Sequence, residues 1–319
     1  MSDAAGKVLS LVVPVRNGES VLPDLLASLE NQTLTREQFE VIVVDDDSDD
    51  ATVERVGRFG GVKCLRQARR GPGAARNLGM LACQGRVILF LDADCLAPPD
   101  LLVEHVRIHQ DSPDVDVAGG SVTPDRPLRL GSVRAADHLC SWFNAHPGLP
   151  PAKVEYVPSL NMSIKRRVLA TGVRWRETRT TGEDVAFCLD LADAGLSVWR
   201  FPQARVIHRD RSTLRGFLRH QYAWGHHGPS VRGASGTARF GWLFSRQRWA
   251  AALTAPVAGL GYAMLIVLGW WRRRPLLLLS VLPLILLGKA WYALGILRGA
   301  GDRGLSAGHA ARCDEPPRR

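Results

Sequence analysis

Short apolar runs alternate with amphipathic stretches through residues 7–125, and this alternation limits the fold more than any other feature of the sequence. The strand candidates are residues 8–15, 39–44, 62–65, 87–91 and 115–119. The helix candidates between them are residues 20–29, 52–59, 74–82 and 99–109. Alternation of this kind, with apolar strands, predicts an α/β fold in which helices flank a mostly parallel sheet on both faces.

Polar segments directly follow three of the predicted strands. The sequence reads PVRNGES at the end of the first strand, VDDDSDD after the second and LDADC after the fourth. Ligands of open α/β sheets bind outside the carboxyl ends of the strands, so we expect these three segments to line one crevice.

After residue 127 the alternation becomes looser, and residues 126–235 are predicted to complete the same domain. Residues 128–143 have a helical pattern. The segment GEDVAFCLDLADAG is predicted to be a helix with acids in its first turn and Gly195 at its end. A further strand is predicted over residues 197–201, followed by VIHRD and the basic, aromatic segment TLRGFLRHQYAWGHHGPSVRG.

Two long apolar runs dominate the last quarter of the chain. Residues 250–271 carry no charge, and a second run extends to Leu297 with Lys289 as its only charge. At ~1.5 Å per residue, each run is ~30 Å long, the thickness of the hydrocarbon core of a bilayer. We therefore predict that residues 249–298 form a hairpin of two transmembrane helices. A buried or interfacial hairpin is the alternative, which Pro256 and Pro283 keep open.

Arginines flank this hairpin on both sides, at positions 232, 239, 246 and 248 before it and 298, 303 and 312 after it. They outnumber the RRR of its turn, and the positive-inside tendency then places the globular domain on the cytoplasmic side of the cell membrane. Residues 299–319 are predicted to be a disordered tail.

The net charge of +10 indicates an anionic partner. The basic residues are mostly Arg and lack the basic-aromatic repeat of a nucleic-acid module, so we expect no nucleic-acid partner. Six cysteines fall at irregular spacings without a CxxC pair, which indicates reduced thiols and no structural zinc site.

The acids at the strand ends are the first candidate site residues. Asp92 and Asp94 suit a divalent cation that bridges a diphosphate, although an acidic turn or a helix cap is equally consistent with LDADC. Asp45 and Asp46 follow a strand directly and are placed to accept hydrogen bonds from a base or a ribose. Capping of the next helix is the alternative function for the VDDDSDD acids.

The segment GPGAARNLG superficially resembles a dinucleotide-binding loop, but it lacks GxGxxG spacing, so a Rossmann dehydrogenase is disfavoured. It still presents backbone N–H groups at a helix N-terminus, with Arg76 on the first turn, where an anionic ligand is favoured.

Taken together, VVPVRNGE, VDDDSDDAT, GPGAARNLG, LDADC and GEDVAF resemble, in order and spacing, the family 2 glycosyltransferases of the GT-A fold. The resemblance covers roughly residues 8–210. It implies that residues 7–125 bind a nucleotide-diphosphate sugar and that residues 126–235 bind the acceptor.

The resemblance also implies roles for individual residues. The residues implied to contact the base and ribose are Pro14, Arg16, Glu19, Asp45 and Asp46. Arg76 corresponds to an arginine that orients the nucleotide, Asp92 lies near the ribose and the metal, and Asp94 is the metal ligand. Asp184 of GEDVAF corresponds to the general base of inverting members, with Glu183 beside it.

Three further implications concern the second half. Asn161 and Met162 of SLNMSIKR are implied to face the acceptor sugar, and His208 of VIHRD lies where related enzymes carry a histidine near the diphosphate or the metal. A lone histidine is more often structural, so that alternative stays open. The QxxRW motif of processive synthases is absent, since Ala223 replaces its arginine. The segment 221–227 is then either a loop over the donor or a basic amphipathic helix at the membrane surface.

The resemblance thus predicts an inverting glycosyltransferase that depends on Mg²⁺ or Mn²⁺ and moves a single sugar to an acceptor hydroxyl. The adjoining membrane helices indicate a lipid-linked or membrane-proximal acceptor. A nucleotidyltransferase of related fold and a non-catalytic membrane scaffold are the alternatives. The first is disfavoured because GEDVAF would have no role in it, and the second because Asp92, Asp94 and Asp184 are all present.

Overall fold

A computed structural model describes residues 6–177, 181–233, 238, 240–244 and 247–300. Within this part of the chain a nine-stranded sheet forms the centre of the molecule. The strands are β1 (Leu9–Val15), β2 (Phe39–Asp46), β3 (Val62–Gln67), β4 (Val87–Leu91), β5 (Cys95–Leu96), β6 (Val117–Pro124), β7 (Ala152–Lys153), β8 (Asn161–Lys165) and β9 (Val198–His208).

The α-helices of the described residues fall into a group around the sheet and a C-terminal group. The first group is α1 (Leu22–Leu29), α2 (Thr52–Val56), α3 (Pro72–Ala82), α4 (Leu101–Asp111), α5 (Val133–Ser141) and α6 (Glu183–Asp193). The second group is α7 (Leu214–Val231), α8 (Arg248–Trp270) and α9 (Pro275–Gly299).

The strand order is β3-β2-β1-β4-β8-β6-β9-β5, and β7 pairs with β9. Neighbours from β3 to β4 run parallel, whereas β8 lies antiparallel between β4 and β6. The predicted α/β fold is confirmed, with a sheet that is more mixed than expected. An apolar run that is buried on both faces looks the same in either direction, so the sequence pattern does not reveal that β8 is reversed.

Apolar side chains cover both faces of the sheet. On one face, Leu11 and Val13 of β1 pack with the leucines of α1 and with α4. On the other face, Val12 packs with α3 and with Phe187 of α6. Every residue of β1 is buried, which explains why its sequence is apolar without alternation.

The strand β9 is longer than predicted and extends to His208 instead of ending near residue 201. It pairs in parallel with β6 as far as Pro124, and its last residues pair with the short strand β5 that follows LDAD. This extension brings His208 to the end of the sheet where Asp92 and Asp94 emerge.

Helices α8 and α9 form the predicted hairpin, and each is long and apolar enough to cross a membrane. Its inner side packs on the domain through α5 and α7, as in the cluster of Leu139, Phe217 and Val281. Its outer side leaves large apolar side chains exposed, among them Leu253, Leu260 and Leu268. The predicted tail lies outside the described residues from position 301 onward.

Candidate active site

A crevice opens at the carboxyl ends of β1 and β2, with about 490 Å³ of empty space including its mouth. We call it the strand-end crevice; its lining residues are Pro14, Val15, Arg16, Asp46, Arg69, Gly71 and Pro72. It brings together three of the predicted donor contacts, Pro14, Arg16 and Asp46, with the loop that begins α3. The open end of a parallel sheet is where this class of fold binds ligands.

Asp45 and Asp46 are both buried but have different partners. Asp46 accepts hydrogen bonds from Gln67 Nε2 at 2.7 Å and from the backbone amides of Arg70 and Gly71 at 2.8 and 2.9 Å. It therefore holds the loop in place. Asp45 contacts Arg66 Nε at 3.2 Å through Oδ2, while its Oδ1 has no hydrogen-bond partner among the described residues. Asp45 thus has an unused acceptor oxygen, which is buried behind the crevice wall, whereas Asp46 lines the crevice itself.

Glu19 lies on the surface beside these acids. Its carboxylate accepts a hydrogen bond from the backbone amide of Ala51 at 3.0 Å, just before α2 begins. The Asp50 carboxylate likewise accepts hydrogen bonds from the backbone amides of Glu19 and Thr52, at 3.2 and 3.0 Å. These reciprocal bonds fix the loop after β1 against the loop after β2, which positions the crevice wall.

Arg76 is fully buried and does not face the strand-end crevice. Its guanidinium donates to Asp92 Oδ1 at 2.7 Å, to Ser159 Oγ at 2.9 Å and to Glu183 Oε1 at 3.1 Å. It also lies over the ring of Trp175, 4.9 Å from the ring centroid. This position does not favour the prediction that Arg76 orients the nucleotide: both terminal nitrogens donate to protein groups, and the Nε that has no partner among the described residues is buried. Arg76 joins the LDADC segment to GEDVAF.

Asp94 and His208 face each other across the end of the sheet. Asp94 Oδ2 lies 3.6 Å from His208 Nε2, and the Asp94 side chain is 44% exposed. His208 Nδ1 lies 3.3 Å from Asp210 Oδ1. Asp210 in turn accepts from His138 Nδ1 at 2.8 Å and from Trp142 Nε1 at 3.0 Å. This buried relay fixes the orientation of the His208 ring.

The arrangement fits a divalent cation held jointly by protein and substrate. An exposed carboxylate opposite a ring nitrogen, whose second nitrogen is held by a buried acid, is the usual surrounding of a metal-binding histidine. The described residues contain no cluster of three His, Cys, Asp or Glu side chains that would enclose a metal alone. Mg²⁺ and Mn²⁺ commonly take one or two carboxylates together with phosphate oxygens, so two protein ligands are sufficient here.

The pKa values of these groups follow their surroundings. Burial lowers the pKa of His208, but hydrogen bonds with Asp210 and Asp94 outweigh it and raise the value to about 10. Burial raises the pKa of Asp94, but His208 outweighs it, so the net shift is downward. Burial raises the pKa of Asp92 although Arg76 partly offsets it. Asp94 is therefore the more readily ionised of the LDADC pair.

Asp184 stands on the first turn of α6. Gly182 precedes the helix with a φ of 81°, a left-handed conformation that glycine adopts without strain. The Asp184 carboxylate accepts a hydrogen bond from the amide of Val185 at 2.8 Å and is otherwise turned toward a cavity. Burial, followed by the negative charge of Glu183, raises the pKa of Asp184 to about 7. A carboxyl group with this pKa is suited to take up a proton near neutral pH.

The cavity beside Asp184 has about 680 Å³ of empty space including its mouth. We call it the aromatic pocket; the side chains that characterise it are Phe143, Tyr156, Trp224, Tyr262, Lys289 and Tyr292. They come from the segments that follow α5 and β7 and from α7, α8 and α9, so the C-terminal hairpin forms part of its wall. No local pattern in the sequence marks this pocket. The one available signal was Lys289, the single charge in a long apolar run.

The segment 221–227 lies within α7, so it is the predicted helix and not the predicted loop. Gly225 of this helix meets α9 so closely that a Cβ at Gly225 would lie 1.9 Å from the Tyr292 carbonyl oxygen. Close approach of the two helices brings Trp224 toward Lys289.

Asn161 and Met162 do not reach the site. Asn161 is fully buried, donating to the carbonyls of Ser121 and Ala204 at 3.0 and 2.9 Å and contacting His105 Nε2 at 2.8 Å. Met162 is fully buried in the core beneath the sheet. The prediction that they face an acceptor sugar is corrected: in β8 they join the layers of the core.

Comparison with known proteins defines the class. The chain matches glycosyl transferase family 2 over residues 10–141 and glycosyl transferase family group 2 over residues 87–294. The second match spans more than half of the chain. The protein therefore belongs to the family 2 glycosyltransferases, as the sequence motifs predicted.

Two curated relatives are similar over most of the globular part. The pre-mycofactocin glycosyltransferase of Mycobacterium tuberculosis is 30% identical over 234 residues, which cover 68% of this chain and 46% of that protein. Glycosyltransferase AglE of Haloferax volcanii is 26% identical over 195 residues, covering 60% of this chain and 63% of AglE. The chain thus spans less than two thirds of the length of either relative.

Solved structures confirm the fold. The mannosyltransferase PcManGT of Pyrobaculum calidifontis, in complex with GDP-Man and Mn²⁺, has a TM-score of 0.60 and 20% identity, covering 92% of this chain and 88% of that chain. S. aureus TarS 1-349 in complex with UDP-GlcNAc has a TM-score of 0.52 and 16% identity, with 92% and 90% coverage. The predicted GT-A fold is therefore confirmed.

Proposed function

We propose that the protein is an inverting, metal-dependent glycosyltransferase that moves one sugar from a nucleotide-diphosphate sugar to an acceptor hydroxyl. The observation that carries this proposal is the bridge from Asp92 through Arg76 to Glu183, the neighbour of Asp184. The buried guanidinium of Arg76 links Asp92, which follows β4, to Glu183 on the first turn of α6. This link holds the donor site and the catalytic base in a fixed relative position. Transfer between two bound substrates requires such positioning.

The donor side is assigned to the strand-end crevice. We assign binding of the nucleobase and ribose to Pro14, Arg16 and Asp45. Asp46 and Glu19 hold the loops around them in place. Asp92, tied to Arg76 on one oxygen, is proposed to reach the ribose or the metal with the other. Residues 7–125 would then serve mainly the donor and residues 126–235 mainly the acceptor. The complexes of TarS with UDP-GlcNAc and of PcManGT with GDP-Man support a donor of this class.

Asp94 and His208 are proposed to hold Mg²⁺ or Mn²⁺, which when bound neutralises charge on the departing nucleoside diphosphate. The relay through Asp210 keeps His208 Nε2 directed toward Asp94. The Mn²⁺ in the complex of PcManGT supports the choice of cation.

In the proposed transfer, Asp184 removes the proton of the acceptor hydroxyl while its oxygen attacks the anomeric carbon. The new bond forms on the face opposite to the diphosphate, the bond to the diphosphate oxygen breaks, and the electron pair leaves with the nucleoside diphosphate. The stereochemistry therefore inverts without a covalent intermediate. The raised pKa of Asp184 supports this role, because a base with a pKa near the working pH both ionises and retains a proton effectively.

The hairpin is proposed to attach the enzyme to the cell membrane with the catalytic domain in the cytoplasm. The exposed apolar side chains of α8 and α9 support contact with lipid, while the opposite side packs on the domain. An acceptor that is lipid-linked or membrane-proximal is consistent with an aromatic pocket whose wall is partly built by this hairpin.

Calorimetry with a panel of nucleoside diphosphates, with and without Mn²⁺, tests the proposal on the full chain in detergent. We expect one nucleoside diphosphate to bind, and to bind more tightly with Mn²⁺. Asp94→Asn should remove the gain from Mn²⁺, whereas the control Asp111→Asn, on the exposed end of α4, should retain it. Failure of every nucleoside diphosphate to bind in the presence of Mn²⁺ would overturn the glycosyltransferase proposal in favour of a non-catalytic scaffold.

A further inference from the structure

Lys289 is the feature of the aromatic pocket that the reaction described above does not use. It lies in the middle of α9, is 4% exposed, and its Nζ donates to Gln221 Oε1 at 2.7 Å. The rings of Tyr292, Tyr262 and Trp224 surround the ammonium, with centroids 5.2, 5.8 and 6.0 Å away. No carboxylate of the described residues lies within 4.0 Å of Nζ. A buried cation therefore faces ring surfaces and one amide oxygen.

The neighbouring cation in the same pocket has a different environment. Arg232 also lines the pocket, but its guanidinium forms an ion pair with Glu155. Asp137, a buried acid of α5, is occupied by Arg211, whose backbone amide donates to it at 3.0 Å. Removing a charge from water is costly unless an opposite charge and hydrogen bonds compensate for it. Lys289 has this compensation only in part.

Two uncharged donors in the same region also have no partner. Gln221 Nε2, on the amide that accepts from Lys289, and Ser141 Oγ, on the pocket wall, are buried without a hydrogen-bond partner among the described residues. Buried polar atoms are nearly always bonded to protein, water or ligand, so such atoms beside a cavity indicate something that the cavity receives. Lys289 Nζ, Gln221 Nε2 and the Ser141 hydroxyl can all donate, whereas the buried acceptors Asp137 Oδ1 and Asn144 Oδ1, which also lack a partner among the described residues, do not line the pocket. A group that would satisfy the three donors together is an oxyanion.

Resting on the proposed function, we propose that the acceptor is an anionic molecule with an apolar or aromatic body, whose phosphate or carboxylate is bound by Lys289. Gln221 Nε2 and Ser141 Oγ supply further hydrogen bonds, and the aromatic rings contact the body of the acceptor. Its nucleophilic hydroxyl faces Asp184 on the same pocket wall. The hairpin thereby determines acceptor specificity in addition to anchoring the enzyme.

Binding of simple anions to the full chain in detergent tests this assignment. The probes are phenyl phosphate against phenol for a soluble acceptor, and dodecyl phosphate against dodecanol in mixed micelles for a lipid. Calorimetry is done with the nucleoside diphosphate and Mn²⁺ at saturation, so that the donor's phosphate site is already filled. We expect at least one phosphate to bind about tenfold or more tightly than its neutral counterpart. Whichever pair shows the preference identifies the soluble or the lipid source.

Lys289→Met should abolish this preference, and Arg298→Met, which removes an exposed charge from the same helix, should leave it unchanged. Lys289→Met should also unfold at the same temperature as wild type or higher, because an apolar side chain replaces a buried charge. If the Met variant does not fold, Lys289→Gln repeats the measurement with a neutral donor in place of the cation.

Three results would overturn the inference while leaving the proposed function intact. The first is equal binding of phosphates and their neutral counterparts to wild type. The second is an unchanged preference for phosphate in the Lys289 variant. The third is loss of nucleoside diphosphate affinity in that variant, which would assign Lys289 to the donor. Failure of wild type to bind any nucleoside diphosphate would instead remove the proposed function itself.

Discussion

The strand-end crevice and the aromatic pocket are built in opposite ways. The crevice consists of the ends of β1 and β2 and the loop that follows β3, and its acid Asp46 is held by the backbone amides of Arg70 and Gly71 in that loop. The aromatic pocket collects side chains from α5 through α9, spread over residues 140–292. The crevice is therefore a local consequence of the sheet, whereas the pocket exists only when five separate helices pack together.

This difference indicates where specificity for the donor and specificity for the acceptor are encoded. Strand ends converge in any fold of this class, so a nucleotide site can be retained while the sequences around it change. A pocket made from helix packing changes whenever one of the helices shifts. We therefore expect the donor side to resemble that of relatives and the acceptor side to be particular to this chain. Asp184 lies at the boundary, next to Glu183, which is tied to the donor side through Arg76.

Asp184→Asn gives the largest expected effect. Because the amide cannot take up the acceptor proton, turnover should fall by about 10²–10⁴, the usual contribution of a general base. The affinity for the nucleoside diphosphate should remain within about twofold of wild type, since Asp184 belongs to the pocket and not to the crevice. Steady-state rates and calorimetry on the same samples measure both quantities.

The matched control is Asp193→Asn, which removes a carboxylate from the exposed end of the same helix and should leave turnover unchanged. Retained turnover in Asp184→Asn would exclude Asp184 as the base. Equal loss of turnover and of nucleotide affinity would show that the two regions are not separable at this residue.

Arg76→Met should break the connection between the two regions. The substitution leaves Asp92 and Glu183 without the buried cation that pairs them, and breaking such a pair typically costs about 3–5 kcal/mol of the free energy of unfolding. Denaturant unfolding in detergent measures this loss. As a control, Arg58→Met breaks an exposed pair with Glu54 and should cost less than about 1 kcal/mol. A stable Arg76→Met protein with weakened nucleotide binding would restore the original prediction that Arg76 contacts the donor.

The features that sequence reasoning predicted correctly are those encoded locally. The apolar runs of β1, β2 and β4 identify buried strands because each run is complete within a few residues. Because β4 ends at Leu91, Asp92 and Asp94 likewise lie at the carboxyl end of that strand. The direction of β8 and the extension of β9 to His208 depend on pairing with strands far away in the sequence, which a local pattern does not contain.

Errors in the site have the same origin. Arg76 has the pattern of an anion-binding residue on a first helical turn, but its partners are 16, 83 and 107 residues away. Asn161 is a polar residue in a motif, and its three partners are 40 to 56 residues away. The amide of Asn161 and both terminal nitrogens of Arg76 are bonded inside the protein. Only the three-dimensional arrangement of those partners distinguishes this from exposure to a ligand.

Gly225→Ala should disrupt the aromatic pocket and leave the strand-end crevice unchanged. A Cβ at this position would meet the carbonyl oxygen of Tyr292, so α7 and α9 must separate, and overpacking of this kind typically costs about 1–3 kcal/mol. We expect a lower unfolding temperature and a weakened preference for phosphate probes, with nucleotide affinity unchanged. Gly261→Ala on α8 meets nothing within 4 Å and should be neutral or stabilising. Equal effects of the two substitutions would contradict the role of close helix approach in forming the pocket.

The pH dependence of turnover gives the smallest and most specific expected effect. The pKa of Asp184 is raised to about 7, first by burial and then by the negative charge of Glu183. Only the ionised form accepts a proton, so kcat/KM should fall about tenfold per pH unit below that value and level off above it. Glu183→Gln removes the neighbouring negative charge, which lowers the pKa of Asp184 and moves the acid limb to lower pH. An acid limb at the same pH in Glu183→Gln would show that another group controls the rate.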